Sequence, residues 1–294
     1  MIAHLTLLIQ AIVNGLEMGF LYALVAVGLT IIWGLMEMIN FAHGEFLMLG
    51  MFGAWWASTT FGLDPLVAIV PVGLAMYALG VLVYRQLMRR VQRGDPFTQI
   101  FATVGLLFLL QNSAVAVFTS DYRYLSDTLL TRLSGANLNL LGITLGVPLL
   151  IGALLALVLF LALYLLIDRT EFGLALQATA EDREAAMLVG IRPQKMFAVA
   201  WGLGAALVAI AGAILANFFA VFPQVGFPFT VLAYAIVALG GFGSILGTLL
   251  AALLVGVVQS VTTIYLAPAF KDAFVFASYI LIGLLRPQGL FGRF

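Results

Sequence analysis

The chain has 294 residues, of which 64% are hydrophobic and 9% are charged, whereas an ordinary soluble domain carries about a quarter charged residues. This composition excludes an ordinary soluble protein and predicts an all-α, polytopic integral membrane bundle, and the formal net charge of zero gives no reason to expect nucleic acid as a partner. Cysteine is absent, which excludes disulfides, thiolate metal ligands and cysteine nucleophiles.

Long apolar stretches follow one another along the chain, and each is a candidate membrane span, which needs about 20 apolar residues. We expect eight to ten spans in a single transmembrane domain that covers residues 1–294, because some stretches are short or run together. The first stretch has no positively charged leading region and no small-residue cleavage pattern, so we expect it to remain in the mature protein. The candidate spans are residues 7–34, 46–60, 65–87, 98–119, 140–167, 196–220, 227–243, 245–266 and 272–286.

A polar motif interrupts the first apolar stretches, since residues 40–45 read NFAHGE. Asn40 and Gly44 are weak helix formers, and Asn and His side chains can bond to backbone groups that a broken helix leaves free. Irregular backbone at membrane depth occurs only where it is buried in protein or lines a cavity. Residues 36–45 are therefore predicted to form a broken or re-entrant segment beside a translocation route.

Glu17, Glu37 and Glu45 lie within or beside the first two candidate spans. A charged group in the bilayer is costly and must face protein, water or a partner, so these residues mark a pathway in one interpretation. In the other, Glu37 and Glu45 lie at the interface or cap the broken helix. We interpret His43, in the same motif, as a structural hydrogen-bonding residue rather than a proton carrier.

The distribution of Lys and Arg predicts the orientation, because cytoplasmic loops carry an excess of both. Arg123, Arg132 and Lys271 would lie on the outer side. The larger set would lie in the cytoplasm, which also places the C-terminus inside. That set is Arg85, Arg89, Arg90, Arg93, Arg169, Arg183, Arg192, Lys195, Arg286 and Arg293.

Residues 168–195 form the longest polar stretch and are predicted to be a cytoplasmic loop. Residues 174–189 contain no Gly or Pro and are followed by Gly190 and Pro193, which predicts a helix with an ordinary stop. A solvated loop helix is one interpretation. We prefer a docking helix for a cytoplasmic partner, because the stretch is long where a short connection would serve. The predicted docking face of small and acidic residues is Ala178, Glu181, Asp182, Ala185 and Ala186, and Gly190 ends the helix.

Glycine and alanine mark two further features. In residues 202–216, Ala205, Ala209 and Ala213 recur every four residues, which predicts close helix packing. Residues 240–244 read GGFGS, and three glycines in five residues predict a sharp turn or a second discontinuous segment. We expect this turn to be the counterpart of NFAHGE in the second half of the chain.

Motifs for catalysis are missing from the sequence. Neither lysine belongs to a GxxxxGK[ST] phosphate loop, so the chain cannot bind and hydrolyse ATP by that route. His4 and His43 are the only histidines and lack metal-ligand spacing, and no Gly-x-Ser-x-Gly elbow occurs. We therefore expect no enzymatic activity, no metal and no cofactor.

Four segments resemble a known family. Residues 14–50, which contain NFAHGE, are similar to the N-terminal region of the permeases of branched-chain amino-acid ABC importers, the leucine/isoleucine/valine H-type subunits. The similarity continues through residues 169–191, 238–260 and 285–293, so it covers nearly the whole chain.

The resemblance implies a multi-pass permease subunit in the inner (plasma) membrane of a bacterium. It implies three kinds of protein partner besides membrane lipid: a second related permease, two cytoplasmic ATPase subunits and a periplasmic substrate-binding protein. Residues 169–191 align with the family's segment that contacts the ATPase, which agrees with the docking helix. No family motif fixes the residues along the substrate path. From the two predicted breaks we expect Asn40, His43, Gly44, Glu45, Gly240 and Gly241.

The expected function is translocation of leucine, isoleucine or valine, powered by the partner ATPases. One alternative keeps this architecture and changes the cargo to urea, short amides or another amino acid. The loop of residues 121–139 is shorter than the insertion of urea-type relatives, which favours amino acids. A proton-coupled secondary transporter that uses Glu17, Glu37, His43 and Glu45 as a relay is the other alternative.

Overall fold

The computed structural model describes residues 2–92, 94–133, 135–140 and 143–292, which fold almost entirely into helices. Arg93 and Arg293 of the predicted cytoplasmic set lie outside the described residues. The α-helices are α1 (Ile2–Met36), α2 (His43–Phe61), α3 (Pro65–Val83), α4 (Arg89–Val91), α5 (Pro96–Phe118), α6 (Leu129–Arg132), α7 (Val147–Arg169), α8 (Glu171–Glu181), α9 (Arg183–Leu188), α10 (Pro193–Leu215), α11 (Gly226–Gly240), α12 (Ile245–Tyr265) and α13 (Lys271–Leu285).

Short elements complete the chain. A π-helical turn, Tyr84–Met88, continues α3, and a 3₁₀ turn, Pro268–Phe270, precedes α13. Strands β1 (Asn137–Leu140) and β2 (Ile143–Gly146) pair antiparallel. The fifth candidate span was therefore placed too early, because residues 140 and 143–146 belong to these strands and α7 begins only at Val147.

Seven helices of the described residues are long and apolar enough to span a membrane, counting α3 with the π turn and α4, and the 3₁₀ turn with α13. They are α1, α3, α5, α7, α10, α12 and α13. The remaining two candidate spans correspond to α2 and to the shorter apolar helix α11. The expected all-α polytopic membrane bundle is confirmed.

Acidic caps and prolines set the starts of two spans. Asp64 accepts from the backbone N–H of Leu66 at 2.9 Å, directly before Pro65 of α3. Asp95 accepts from the backbone N–H of Thr98 at 2.9 Å at the start of α5. These bonds from the side chain and backbone of Thr98 lower the pKa of the exposed Asp95.

Small residues let the central helices approach closely. On α10, Ala205, Ala209 and Ala213 are all buried, as the four-residue repeat predicted. A methyl group added to Gly212 of the same helix would overlap the backbone of Leu47 in α2. Close packing of backbones at small residues is the usual way in which helices associate in membranes.

The bundle has two ends. The hairpin end contains β1 and β2 with the loops at residues 62–64 and 119–128, and Gln10 of α1 reaches it by donating to the carbonyl of Thr144 at 2.7 Å. The basic end contains the α3–α5 connection and the α10 start, where Tyr84 donates to Gln194 at 2.8 Å. Residues 168–188, 241–244 and 286–292 also lie at this basic end.

Helices α2 and α11 begin inside the bundle rather than at either end. The ring of His43, the first residue of α2, bonds to the carbonyl of Val25 at 2.9 Å, and about 16 Å of α1 separate Val25 from Met36. The non-helical residues 37–42 thus return the chain from the basic end into the bundle. The broken segment predicted from NFAHGE is confirmed.

Candidate functional site

The two interior helix starts meet at a pair of glycines. A Cβ added to Gly44 would overlap the carbonyl oxygen of Gly226, and one added to Gly226 would overlap that of Gly44. The backbone N–H of Gly44 also donates to the hydroxyl of Thr230 at 2.8 Å. From this junction α2 runs to the hairpin end and α11 runs to the basic end. The junction is therefore a backbone-to-backbone contact that only glycine permits.

Asn40 holds the irregular backbone that precedes α2. Its side-chain oxygen accepts from the N–H of Ala42 at 3.1 Å, and its own N–H donates to the hydroxyl of Tyr234 in α11 at 2.6 Å. Asn40 is 1% exposed. These bonds satisfy backbone groups that the interrupted helix leaves free. The sequence predicted this role for the Asn40 side chain.

His43 and Glu45 are both enclosed in the bundle. His43 bonds through Nε2 to Val25, which supports its interpretation as a structural residue. Glu45 is 0% exposed, and neither of its carboxyl oxygens has a hydrogen-bond partner among the described residues. It lies in the first turn of α2, where the helix dipole favours negative charge. A role of either residue in the substrate path stays a prediction.

Glu37 and Glu17 occupy contrasting positions. Glu37 is exposed and left-handed, with φ of 52°, directly after α1, so it belongs to the helix stop and not to the interior. Glu17 is 5% exposed and its Oε1 has no partner among the described residues. Of the two acids, only Glu17 is thus an interior carboxyl group.

The second predicted break lies at the basic end. Gly241 and Gly243 have φ of 97° and 80°, and Ser244 caps α12, so the turn predicted from GGFGS is confirmed. The expectation that this turn is the counterpart of NFAHGE is wrong, because the interior helix start in the second half of the chain is at Gly226. Gly240 packs on Gly247, and Gly241 packs on Gly292 near the C-terminus.

The length of α11 separates the two breaks. This helix has 15 residues, so its ends are about 22 Å apart at roughly 1.5 Å per residue. The structure therefore brings Asn40, His43, Gly44 and Glu45 together but leaves Gly240 and Gly241 at the far end of α11. One substrate site cannot contain both groups, although a route along α11 could pass both.

The predicted docking helix is two helices. It breaks at Asp182, whose side chain accepts from the N–H groups of Glu184 and Ala185 and so caps α9. Glu181, Asp182, Ala185 and Gly190 are exposed, and Ala178 is half-buried. Ala186 is 3% exposed and faces the chain itself, so it cannot be part of an exposed docking face. Leu188 and Val189, at 89% and 76% exposed, are the prominent apolar side chains of this segment.

Helix α8 lines a cavity together with the end of α1 and the glycine turn before α12. With Leu176, Gln177 and Ala180 it lines a cavity of about 320 Å³. The opposite walls are Gly34 of α1 and the glycine turn at residues 243–246. The segment expected to contact a partner therefore shares one cavity with the end of α1 and with the turn that leads into α12.

Two adjoining cavities at the hairpin end were missed by sequence reasoning. The aromatic cavity has a volume of about 560 Å³ and the polar cavity one of about 540 Å³. A hydrogen-bonded chain runs beside them, from the hydroxyl of Tyr22 to Gln259 at 2.8 Å and from the amide of Gln259 to Asp272 at 2.9 Å. These residues come from α1, α12 and α13, so no local pattern could have joined them. Both cavities are lined by Tyr22, Phe219, Gln259 and Lys271.

The loop at the hairpin end carries one ion pair of its own. Nε of Arg132 lies 2.8 Å from Oδ1 of Asp127, and the guanidinium lowers the pKa of the Asp127 carboxyl. Both side chains are largely exposed, so this pair contributes little to stability.

Comparison with known proteins gives one family. Residues 11–283 match the model described as the branched-chain amino acid transport system permease component. The chain is 32% identical to the high-affinity branched-chain amino acid transport system permease protein BraD of Pseudomonas aeruginosa, over 97% of this chain and 96% of BraD. It is 32% identical to LivH of Escherichia coli K12 over the same shares of each chain, and 25% identical to the probable LivH of Methanocaldococcus jannaschii over 92% and 89%. No solved structure gives a significant match.

Proposed function

Because the chain belongs to the family of branched-chain amino acid transport system permease components, we propose that it moves leucine, isoleucine or valine across a bacterial inner membrane as one subunit of an ABC importer. Membership of this family makes the chain a transport subunit and not an enzyme, as the sequence predicted. The family match over residues 11–283 is the observation that carries the proposal.

The basic end faces the cytoplasm in this proposal, and the hairpin end faces the periplasm. The described basic end holds most of the arginines, and cytoplasmic loops carry this excess. Gly292 packs on the glycine turn at this end, so the C-terminus is cytoplasmic in this proposal. Residues 1–294 act as one permease domain, since one buried core contains side chains from helices along the whole chain, including α1 and α13.

Separate ATPase subunits supply the energy and dock on α8 and α9. Leu188 and Val189 form an exposed apolar contact, and Glu181 with Asp182 adds acidic groups beside it. Exposed apolar side chains on a water-facing loop are typical of a protein interface. A second related permease completes the membrane part, and a periplasmic binding protein delivers the amino acid to the hairpin end.

Few structural elements separate the docked helix α8 from the glycine junction inside the bundle. Helix α8 borders Gly34 and the glycine turn, and that turn connects α12 to α11. Helix α11 in turn carries Gly226, which packs on Gly44. A displacement of α8 on ATP binding would therefore reach the two interior helix starts through α11, without a catalytic group in this chain.

The names of the relatives favour branched-chain amino acids over the alternative cargoes, urea and short amides. Uptake of each labelled solute by cells that express the chain with the products of its neighbouring genes tests this choice. We expect ATP-dependent uptake of leucine, isoleucine and valine. Uptake of urea or acetamide without uptake of these amino acids would overturn the proposed cargo.

A further inference from the structure

The aromatic cavity at the hairpin end lies against the interior start of α11. Gly226 and Thr230 on one face of this helix contact Gly44, while Phe227 and Val231 on another face line the aromatic cavity. The first two turns of α11 therefore belong both to the glycine junction and to the cavity wall. A ligand in the cavity would rest directly on the helix that the proposed coupling moves.

The aromatic cavity combines an apolar wall with two opposite charges. Lys271 and Asp272 stand side by side in the first turn of α13 and both line the cavity. Lys271 forms no ion pair with any described residue, so its ammonium is available to a ligand. The apolar wall includes Phe219, Phe222, Phe227, Phe229 and Phe276.

Buried polar groups orient the acidic side of this pair. Tyr22 is 7% exposed and donates to Gln259, and the amide of Gln259 holds one carboxyl oxygen of Asp272, Oδ1, at 2.9 Å. The other oxygen, Oδ2, has no hydrogen bond from the described residues. A carboxylate fixed through one oxygen and open at the other is suited to accept from an ammonium group.

The polar cavity adds a second acid on the approach. Glu17 lines this cavity, is 95% enclosed, and has an oxygen without a partner among the described residues. The wall of Tyr22, Phe219, Gln259 and Lys271 is common to both cavities. A small cation or zwitterion in the polar cavity would thus be one side-chain layer away from Lys271 and Asp272.

We propose that the aromatic cavity is a binding site for the zwitterion of an aliphatic α-amino acid, with Asp272 accepting from its ammonium, Lys271 donating to its carboxylate and the phenylalanines of the wall contacting its side chain. The charges of Lys271 and Asp272 complement the two charges that every α-amino acid carries. The cavity volume of about 560 Å³ lies in the usual range of small-ligand pockets, roughly 300–1,000 Å³. This inference rests on the proposed function and names the place where the cargo is held.

Ligand analogues that lack one charge test the two assignments separately. The complete importer complex is purified into nanodiscs without its binding protein, and equilibrium binding of leucine, leucinamide and 4-methylpentanoate is measured. Leucinamide lacks the carboxylate, and 4-methylpentanoate lacks the ammonium. We expect the wild type to bind leucine at least about tenfold more tightly than either analogue, because hydrogen bonds to charged groups are strong.

Two variants should each remove one preference only. Lys271→Met should abolish the preference for leucine over leucinamide and keep the preference over 4-methylpentanoate, and Asp272→Asn should do the reverse. Ser278→Ala, on the same helix outside the cavity, should change neither, because the Ser278 hydroxyl only donates to Phe274 of its own helix. A structural role of Lys271 or Asp272 would lower the affinity for all three ligands equally and would overturn the proposal.

Two further outcomes of these measurements would overturn the binding site. Absence of saturable leucine binding by the wild type, or preferences unchanged in both variants, overturns the site. Phosphatidylethanolamine that copurifies with the wild type and is lost from Lys271→Met would identify the cavity as a lipid site and would equally overturn it. ATP-dependent leucine uptake by the same complex in proteoliposomes, measured in parallel, separates failure of this site from failure of the proposed function.

Discussion

Gly44 and Gly226 touch through their backbones at the first turns of two helices that start inside the bundle and run to opposite ends. Each glycine leaves no room for a methyl group on the other, and Thr230 fixes the contact by accepting from the N–H of Gly44 at 2.8 Å. The junction connects the first half of the chain, through α2, to the second half, through α11.

Replacing Gly44 by alanine should disturb this junction. The new methyl group would overlap the carbonyl of Gly226 and the hydroxyl of Thr230, so the helices must separate. Overpacking of this kind costs about 1–3 kcal/mol. We expect a lower thermal unfolding temperature of the detergent-solubilised protein and reduced leucine uptake.

The matched control for that substitution is Gly105→Ala. Gly105 is an exposed residue within α5, and no atom lies within 4 Å of an added Cβ. Alanine favours helix over glycine by up to about 1 kcal/mol, so this variant should be at least as stable as the wild type. Equal thermal stability of the Gly44 and Gly105 variants would contradict the close contact.

Tyr234→Phe should weaken the irregular segment that precedes α2. The Tyr234 hydroxyl accepts from the N–H of Asn40 at 2.6 Å, and its removal leaves a buried donor unpaired. Such a loss costs about 1–3 kcal/mol. We expect lower thermal stability with an unchanged order of preference among leucine, isoleucine and valine.

Tyr124→Phe controls for the loss of a hydroxyl, because Tyr124 is 68% exposed at the hairpin end. Its thermal stability should equal that of the wild type. A Tyr234→Phe variant as stable as this control would show that the bond to Asn40 contributes nothing measurable.

Leu188→Ser should uncouple the chain from its ATPase subunits. Leu188 is 89% exposed, so the substitution should leave the fold of the chain intact and remove only the apolar contact proposed for the ATPase. We expect normal membrane insertion, a several-fold loss of leucine uptake and less ATPase subunit in pull-downs of the complex.

The acidic residues beside Leu188 need different substitutions. Asp182 caps α9, so its replacement also costs about 1 kcal/mol of helix stability, whereas Glu181 makes no such bond in the described structure. Glu181→Lys is therefore the cleaner charge reversal, and we expect reduced recovery of the ATPase. Full uptake in a combined Glu181→Lys, Leu188→Ser variant would exclude docking at this segment.

His43→Gln should retain transport. A glutamine amide can donate to the carbonyl of Val25 as the His43 ring can, but it cannot carry a proton across the membrane. We expect wild-type and variant uptake to depend alike on pH over the range in which histidine titrates. Loss of uptake in His43→Gln with normal protein levels, together with inhibition of the wild type by a protonophore at fixed ATP, would favour the proton-coupled alternative.

Periodicity and local chemistry predicted most of the fold. Apolar stretches located the seven long apolar helices of the described residues as well as α2 and α11, and the weak helix formers Asn40 and Gly44 located the break before α2. The three glycines of residues 240–244 located the turn before α12, where positive φ at Gly241 and Gly243 requires glycine. In each of these cases the determinant lies within a few residues of the feature.

Tertiary contacts account for what the sequence did not reveal. The pairing of Gly44 with Gly226 depends on helices that are far apart in sequence, and so does the chain from Tyr22 through Gln259 to Asp272. The break at Asp182 was missed because good helix formers flank it, while its capping bonds decide the local structure. The burial of Ala186 also depends on tertiary contacts, so its spacing along the sequence could not predict it.

Reconstitution of the importer distinguishes ATP-driven uptake of branched-chain amino acids from proton-driven uptake. This chain, the second permease and the two ATPases are placed in proteoliposomes, the binding protein is added outside, and uptake of labelled leucine is measured with ATP, without ATP and with a protonophore. We expect leucine uptake that requires ATP on the ATPase side and persists with the protonophore. Leucine uptake that proceeds without ATP and collapses with the protonophore, or an ATP-hydrolysing complex that moves no branched-chain amino acid, would contradict it.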